Sequence, residues 1–313
     1  MDPAVAAVRL AVRASLGELQ EGALVLVACS GGPDSLALAA ALAAEAPRVG
    51  RRGGAVVVDH GLQDGSARRA AQAGAVCDQL GLDPVEVLSA TVIDDGVGPE
   101  AAAREARYRV LGDAAARTGA AAIALGHTLD DQAETVLLGL ARGSGARSLA
   151  GMPARRGLLV RPLLGLRRET TVAACAALGL DPWLDPHNDD PRFTRSRLRS
   201  SVMPLLDEVI GPGVPEALAR SAGLLRADAD ALDAWAESVD DATDVRTLSA
   251  LPEAVRTRVL RRAAIAAGVP AGALTAAHVS AVDALVVAWR GQGPVSLPGG
   301  LEAARACDRL SFR

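Results

Sequence analysis

Short apolar runs alternate with helix-like segments through the first half of the chain, and this alternation most restricts the folds that the chain can adopt. Four runs rich in Val, Leu and Ala have the length of buried strands: residues 23–30, 54–61, 83–90 and 121–128. The spacing of apolar residues predicts helices between them, at 34–45, 66–80 and 99–117. Because strands that alternate with helices form βαβ units, we predict an α/β fold, a Rossmann-like parallel sheet with helices on both faces.

The pattern changes after Gly165, where helical segments follow one another. A chain of 313 residues exceeds the usual size of one domain, and the turn Gly-Pro-Gly-Val-Pro at 211–215 is typical of a boundary. We therefore predict an N-terminal domain over 1–210 and a smaller, mainly helical C-terminal domain over 211–313. Short strands are expected near the end of the chain, around PVSL, LEAAR and DRLSF.

The composition excludes several classes of protein. The sequence contains no lysine, so all 33 basic residues are arginine. A Walker A loop, a protein kinase and a pyridoxal enzyme each require a lysine. Aromatic residues make up 2% of the chain, too few for a sheet that stacks RNA bases. The four cysteines show no C-x-x-C spacing and are expected to be small core residues.

The apolar segments are too short or too charged to cross a membrane. No charge-free run of about 18 apolar residues occurs, and the first 16 residues combine arginines with a helical apolar pattern. We therefore expect a cytoplasmic protein without a membrane partner.

The motif SGGPDS at 30–35 lies between a predicted strand and a predicted helix. Gly31 and Gly32 allow a tight turn that exposes backbone N–H groups, while Ser30 and Ser35 add hydroxyl donors. Together with the positive end of a helix dipole, these groups form a phosphate site without a lysine. A carboxylate beside phosphate favours a bound cation, so Asp34 indicates Mg²⁺, although Asp34 could also be only a helix cap.

The motif LGHTLDDQAET at 125–135 places acidic side chains at the start of a helix that follows the fourth strand. Asp130 and Asp131 precede Glu134 by four and three positions, so their carboxylates share one helix face and could hold a metal ion or an ammonium group. His127 could donate to a phosphate or move a proton. The alternative is a capping box between Thr128 and Asp131 with a solvated acidic face.

Basic residues concentrate in the middle of the chain. Residues 140–200 carry 11 Arg against 5 acidic residues, a net charge of +6, whereas the whole chain has −4. Such a patch suits RNA phosphates, with Arg192, Arg195, Arg197 and Arg199 recurring along one segment. The alternative is a solvated face. Arg104 lies in a separate helical motif, EAAAREARY, where its guanidinium could meet a phosphate.

The loop SGGPDS resembles the PP-loop of the adenine nucleotide alpha hydrolase superfamily, also called PP-loop ATP pyrophosphatases. Further segments follow in the order found in one family of it, the tRNA(Ile)-lysidine synthases: VDHGLQ at 58–63, EAAAREARY at 100–108, LGHTLDDQAETVLLGLARGSG at 125–145, RPLL at 161–164 and DPHNDDPRFTRSRLR at 185–199. The resemblance covers roughly residues 23–205. Beyond them only the helical pattern and VSLPGG match.

The resemblance implies an ATP-dependent enzyme that adenylates the wobble cytidine of tRNA(Ile) with a CAU anticodon and then joins L-lysine to it. It implies ATP and Mg²⁺ as cofactors, tRNA rather than DNA as the nucleic acid, and tRNA binding by the C-terminal domain. Catalysis would fall to Asp34, His127, Asp131 and Glu134, with Asp34 and Asp131 as Mg²⁺ ligands. ATP would contact Arg104 and the six loop residues Ser30, Gly31, Gly32, Pro33, Asp34 and Ser35. A PP-loop tRNA thiolation enzyme and a non-catalytic ATP- or RNA-binding module are the alternatives.

Overall fold

The computed structural model describes residues 1–59, 61, 65–91, 99–184 and 192–313, with the backbone alone for 99–101. Its contacts divide the chain into two compact units, Met1–Gly223 and Leu224–Arg313. The division between these units falls inside a long helix, Val214–Glu237. The boundary predicted after residue 210 lies just before that helix begins. The predicted boundary itself stays a prediction.

The first unit is built on a six-stranded sheet with the order β3-β2-β1-β4-β6-β5. Its strands are β1 Leu24–Ala28, β2 Arg52–Asp59, β3 Val85–Ser89, β4 Ala122–Ala124, β5 Arg155–Arg156 and β6 Leu159–Val160. All neighbouring strands pair in parallel except β5 and β6, which form an antiparallel hairpin at one edge. The predicted parallel sheet is therefore confirmed, with one added antiparallel edge strand.

Helices cover both faces of this sheet because successive strand residues point to opposite sides. The helices of the first unit are α1 Pro3–Gly17, α2 Pro33–Glu45, α3 Ser66–Gln79, α4 Pro99–Thr118, α5 Leu129–Ala141, α6 Ala146–Leu149, α7 Arg168–Ala177, α8 Thr194–Arg197 and α9 Met203–Ile210. A π-helical turn, Leu198–Val202, joins α8 to α9. Val25 and Val27 of β1 share a core with α1, α2, α3 and α7. Leu24 and Leu26 pack on the other face with α4.

The second unit combines helices with a small antiparallel sheet. After α10 Val214–Glu237, the helices are α11 Val245–Ala250, α12 Glu253–Ala266 and α13 Ala276–Val287. They enclose a core with Leu297, Ala303 and Leu310 from the strands β7 Val295–Leu297, β8 Leu301–Ala306 and β9 Arg309–Phe312. The expectation of a mainly helical region that ends in short strands is confirmed.

Two local expectations are wrong. The fourth strand ends at Ala124, so His127 lies in the connection to α5 rather than at a strand end. Cys29, Cys77 and Cys175 are buried as predicted, but Cys307 is exposed in the β8–β9 turn, where its backbone φ is +54°. A two-strand hairpin turn leaves its tip in solvent, so a cysteine there cannot join a core.

None of the helices in the described ranges is both long enough and apolar enough to span a lipid bilayer.

Candidate active site

The SGGPDS loop at 30–35, which resembles a PP-loop, connects the end of β1 to the start of α2. Gly31 has a φ of +81°, a left-handed conformation that glycine adopts without strain, and Gly32 is the extended N-cap of α2. Ser35 is buried and fixes the turn, because its hydroxyl donates to the Gly32 carbonyl at 3.0 Å and accepts from the Ser30 N–H at 3.1 Å. The loop therefore has the backbone geometry expected of an anion site at a helix N-terminus.

Asp34 lies in the first turn of α2 and is held by α7. Its carboxylate accepts a hydrogen bond from the Thr171 hydroxyl and another from Arg168 Nε at 3.2 Å. Burial raises the pKa of Asp34, while the charge of Arg168 opposes that shift. Two hydrogen bonds to α7, and not a role as a cap alone, fix this carboxylate beside the loop.

Asp131 combines the two roles that the sequence left open. Its Oδ2 accepts from the N–H of Thr128 at 2.8 Å, which caps α5. Its Oδ1 accepts from Arg168 Nη2 at 2.7 Å. Burial acts to raise the pKa of Asp131, but Arg168 and the Thr128 amide outweigh it, so that the pKa is lowered. One oxygen of Asp131 is thus structural, and the other faces the site.

Glu134 lies one turn further along α5 with a side chain that is 1% exposed. Arg199 approaches it from the π-helical turn, with Nε 2.8 Å from Glu134 Oε1 and Nη2 3.3 Å from Oε2. Burial raises the pKa of Glu134 despite this cation. The prediction that Asp131 and Glu134 share a helix face is confirmed, because Arg199 also reaches Asp131 Oδ1 at 3.4 Å.

Arg168 is the central residue of the acidic cluster, and the sequence did not predict it; Arg167 and Asp207, which line a cavity beside the cluster, were not predicted either. The Arg168 guanidinium contacts Asp34 and Asp131 by hydrogen bonds and lies 3.8 Å from Glu134 Oε1. In the sequence it belongs to the basic stretch, and no motif distinguishes it there. The only signal is the pair Arg167-Arg168 at the start of a helix, because a helix start normally favours acidic residues and two arginines are unusual at that position.

His127 lies between the PP-loop and α5. A Cβ on the preceding Gly126 would lie 3.1 Å from the backbone of Asp34 and Ser35, which places this connection directly against the start of α2. Burial lowers the pKa of His127 to about 4, and the positive charges of nearby arginines add to this effect. Its Nδ1 is buried and has no hydrogen-bond partner among the described residues. A neutral imidazole with an unpaired nitrogen can donate to or accept from a ligand.

A cavity of about 390 Å³ opens beside the acidic residues. It is lined by Asp130, Glu134, Arg167, Arg199 and Asp207, together with Met203 and two prolines. Arg167 is held in place by Asp130 at 3.2 Å and by Glu216 at 2.7 Å. Carboxylates and guanidinium groups in one cavity of this size suit a small ligand that carries both charges.

One of the four predicted RNA-binding arginines, Arg199, belongs to the acidic cluster, and the RNA contacts themselves stay a prediction. Arg199 turns inward to Glu134 and is 32% exposed, whereas Arg192 and Arg197 are exposed and Arg195 is half-buried. Arg104 is exposed on α4, where its Nη2 donates to the Tyr108 hydroxyl at 3.0 Å. The structure therefore brings Asp34, His127, Asp131 and Glu134 together and adds Arg199 to them. Parts of VDHGLQ and DPHNDDPRFTRSRLR, at 60, 62–63 and 185–191, lie outside the described residues.

Comparisons with known proteins identify the family of the chain. Residues 8–206 match the family model of a PP-loop domain, an ATP-binding type, and residues 244–311 match the TilS substrate binding domain. A solved structure, the U34-tRNA thiolase NcsA from Methanococcus maripaludis with its [4Fe-4S] cluster, is similar with a TM-score of 0.60 and 20% identity. The matched region covers 71% of this chain and 80% of the thiolase chain. At that identity the likeness concerns the fold alone.

Curated relatives are far more similar in sequence. A tRNA(Ile)-lysidine synthase from Thermobifida fusca is 59% identical, over 97% of this chain and 95% of that protein. A tRNA(Ile)-lysidine synthase from Streptomyces coelicolor is 53% identical, over 99% of this chain and 98% of that protein. With such identity along almost the whole of both proteins, and with both domain models matched, the chain belongs to the tRNA(Ile)-lysidine synthase family.

Proposed function

We propose that this protein joins L-lysine to the wobble cytidine of tRNA(Ile) with a CAU anticodon, using ATP. The observation that carries the proposal is the meeting of Asp34, Asp131 and Glu134 around Arg168, next to a PP-loop. ATP is cleaved to AMP and pyrophosphate in this reaction. Because ATP and tRNA are cytoplasmic substrates, we expect the protein to act in the cytoplasm.

The PP-loop would hold the pyrophosphate of ATP. The N–H groups around Gly31 and Gly32 and the hydroxyl of Ser30 point to this role, since the start of α2 carries a partial positive charge. The neutral imidazole of His127 would hydrogen-bond the phosphate at which the nucleotidyl group is transferred. A lowered pKa supports this, because a neutral ring keeps one donor and one acceptor.

The residues present fit a Mg²⁺ ion. Carboxylates of Asp34 and Asp131 converge on one cation, the Arg168 guanidinium. Within the described part of the chain, no three His, Cys, Asp or Glu side chains form a metal group. Mg²⁺ commonly takes one or two carboxylates and completes its shell with substrate phosphate and water. Bound there, it would neutralise the charge of the departing pyrophosphate.

Lysine would occupy the cavity between α5 and α9. Its ε-amine must reach the cytidine ring, and Glu134 at the inner wall can accept the proton that this amine loses, since burial raises the carboxyl pKa. Arg167 would pair with the α-carboxylate, while Asp207 lies close enough in the lining to take the α-ammonium group.

Adenylation makes the chemistry possible. The amide-like oxygen of cytidine is a poor leaving group, and an AMP ester of it leaves readily, so one hard displacement becomes two easier ones. Arg199 contacts both Asp131 and Glu134, which places it between the nucleotide side and the lysine side of the site. The exposed Arg192 and Arg197, together with Arg195 and the C-terminal region that holds the matched substrate binding domain, would bind tRNA.

The test is an incubation of the purified protein with ATP, Mg²⁺ and a tRNA(Ile) transcript, with each amino acid added separately. Nuclease digestion and mass analysis should find one cytidine heavier by a lysyl group, in the lysine reaction only. A tRNA(Met) transcript with the same anticodon serves as the control RNA. Sulfur incorporation, or unmodified cytidine in every reaction, would contradict the proposal.

A further inference from the structure

Arg161 is a buried arginine that the reaction described above does not use. It follows β6 and is 6% exposed. Its Nη1 donates to the Pro153 carbonyl at 2.9 Å, but its Nε is buried without a hydrogen-bond partner. A buried charged group with an unused donor is costly unless something pairs with it.

The surroundings of Arg161 are positive. Arg104 and Arg156 both act on it by repulsion, while Tyr108 is its favourable polar neighbour. Tyr108 also holds Arg104, whose guanidinium carbon lies 5.0 Å from the ring centre. Across the ranges that the structure describes, Arg104, Arg156 and Arg161 form no ion pair with an acidic side chain. An anion is what would complete this cluster.

Arg161 directly follows the carboxyl end of β6, beside β4, at the edge where ligands bind in parallel sheets. The strands β4 and β6 are parallel neighbours. The positive charges of Arg161 and Arg104 lower the pKa of His127, whose Nδ1 also has no hydrogen-bond partner in the described structure. The cluster is therefore next to the proposed ATP site and separate from the acidic residues around Arg168.

The positive charge continues outward to the edge of the sheet. Arg155 and Arg156 form the edge strand β5, and both are exposed. An arginine path from a buried donor to an open edge suits a polyanion that enters from solvent more than a nucleotide held by the PP-loop.

We propose that Arg161 and Arg156, together with Arg104, which the family resemblance assigns to ATP, form a phosphate site that takes one backbone phosphate of the bound tRNA. The proposal rests on the proposed function and adds to it how the RNA strand is held beside ATP. A phosphate fixed next to His127 would keep the target cytidine in front of the nucleotide, because neighbouring groups of one strand move together.

Two separate binding measurements on the full chain test this proposal. Filter binding of tRNA(Ile) transcript without ATP, at several salt concentrations, gives affinity and salt slope, and equilibrium dialysis of Mg²⁺-ATP without RNA gives nucleotide affinity. Arg161→Gln should weaken tRNA binding about tenfold or more and reduce the slope by about 0.7 to 0.9. ATP affinity should not change.

Arg156→Gln keeps the test valid if the buried substitution prevents folding, because Arg156 is exposed. The Arg156→Gln variant should also bind tRNA more weakly and show a smaller salt slope. Arg52→Gln, an exposed arginine at the opposite, amino end of β2, should change neither quantity. Weaker ATP binding with unchanged tRNA binding would overturn the proposal, since the phosphate would then belong to ATP.

Unchanged binding of both ligands by both variants would also overturn it. Failure of the proposed function looks different, because the wild-type protein would then bind tRNA(Ile) no better than another tRNA and leave it unmodified. That result would remove both proposals, whereas wild-type modification with unaffected variants would remove this one alone.

Discussion

Arg168 lies within hydrogen-bond distance of Asp131, with its Nη2 2.7 Å from Oδ1, and the same guanidinium reaches Asp34 across the site at 3.2 Å. Three carboxylates meet here, since Glu134 lies 3.8 Å from Nη1. Like charges this close repel one another strongly in a partly buried site. Arg168 supplies the compensating charge in the free protein, at the place where a metal ion would do so in the reaction.

Arg168→Gln should destabilise the protein and make its stability depend on Mg²⁺. Removal of the shared cation takes away the ion pair that the structure shows for Asp34 and leaves Asp131 and Glu134 with Arg199 alone, which should cost up to about 3 kcal/mol. Added Mg²⁺ should raise the melting temperature of the variant more than that of the wild type, because a ligand of the native state stabilises it. Thermal melts with and without Mg²⁺ measure this. Equal shifts in both proteins would mean that the ion does not bind at these carboxylates.

Asp131→Asn and Asp131→Ala should separate the two roles of this side chain. Asparagine keeps an oxygen that can accept from the Thr128 N–H, so its loss of unfolding free energy should come from the ion pairs with Arg168 and Arg199 alone. Alanine removes the cap as well and should cost about 0.5 to 2 kcal/mol more. Both variants should lose ATP-dependent pyrophosphate release by about a hundredfold. If the asparagine variant is fully active, Asp131 is a cap only.

Gly126→Ala should impair the PP-loop, because the added Cβ would lie 3.1 Å from the backbone atoms of Asp34 and Ser35. Overpacking against rigid backbone costs about 1 to 3 kcal/mol. Gly112→Ala is the matched control, since its Cβ would meet nothing within 4 Å on helix α4. The control should gain up to about 1 kcal/mol from helix propensity. Urea unfolding measures the stability of the two variants, and Mg²⁺-ATP affinity measures the state of the PP-loop. Equal stability and equal ATP affinity of Gly126→Ala and Gly112→Ala would argue against close contact at Gly126.

His127 should make the native state less stable in acid. Its pKa is lowered to about 4 in the folded protein by burial, while the unfolded chain titrates near 6.5. Between these values the unfolded state binds a proton that the native state does not, so the free energy of unfolding falls as pH drops from about 6.5 to about 4. His127→Gln should show a smaller decrease over the same window in urea titrations. An identical decrease in both proteins would place the imidazole in solvent.

Arg199 and the pair Arg195 and Arg197 should affect different steps. Arg199→Gln leaves the buried Glu134 without its nearest cation, so pyrophosphate release and lysine transfer should fall by tenfold or more, about the value of one charged hydrogen bond. Replacing Arg195 and Arg197 by Gln should weaken tRNA binding and lower its salt slope by about 0.7 to 0.9 for each RNA phosphate that is no longer neutralised. Steady-state kinetics at saturating tRNA separate the two effects. Unchanged tRNA affinity in the double variant would mean that these arginines form only a solvated face.

The sequence by itself determined the local structure and the chemistry of the motifs. Apolar runs of strand length, glycines after β1 and an acidic helix start are short-range features, and local sterics and capping decide them. Asp34, His127, Asp131 and Glu134 could therefore be named as a site, because parallel strands bring their carboxyl ends to one edge. The order β3-β2-β1-β4-β6-β5 could not be read in this way, since strand pairing depends on contacts between distant segments.

Only the tertiary structure decided which arginines belong to the site. In sequence, eleven arginines between residues 140 and 200 are equivalent members of a basic stretch. Packing of α7 against α2 turns Arg168 toward Asp34, the π-helical turn directs Arg199 to Glu134, and β6 buries Arg161. The physical reason is that long-range contacts of the backbone decide where each guanidinium points. The number of charges along a stretch of sequence does not say toward which residue each side chain is directed.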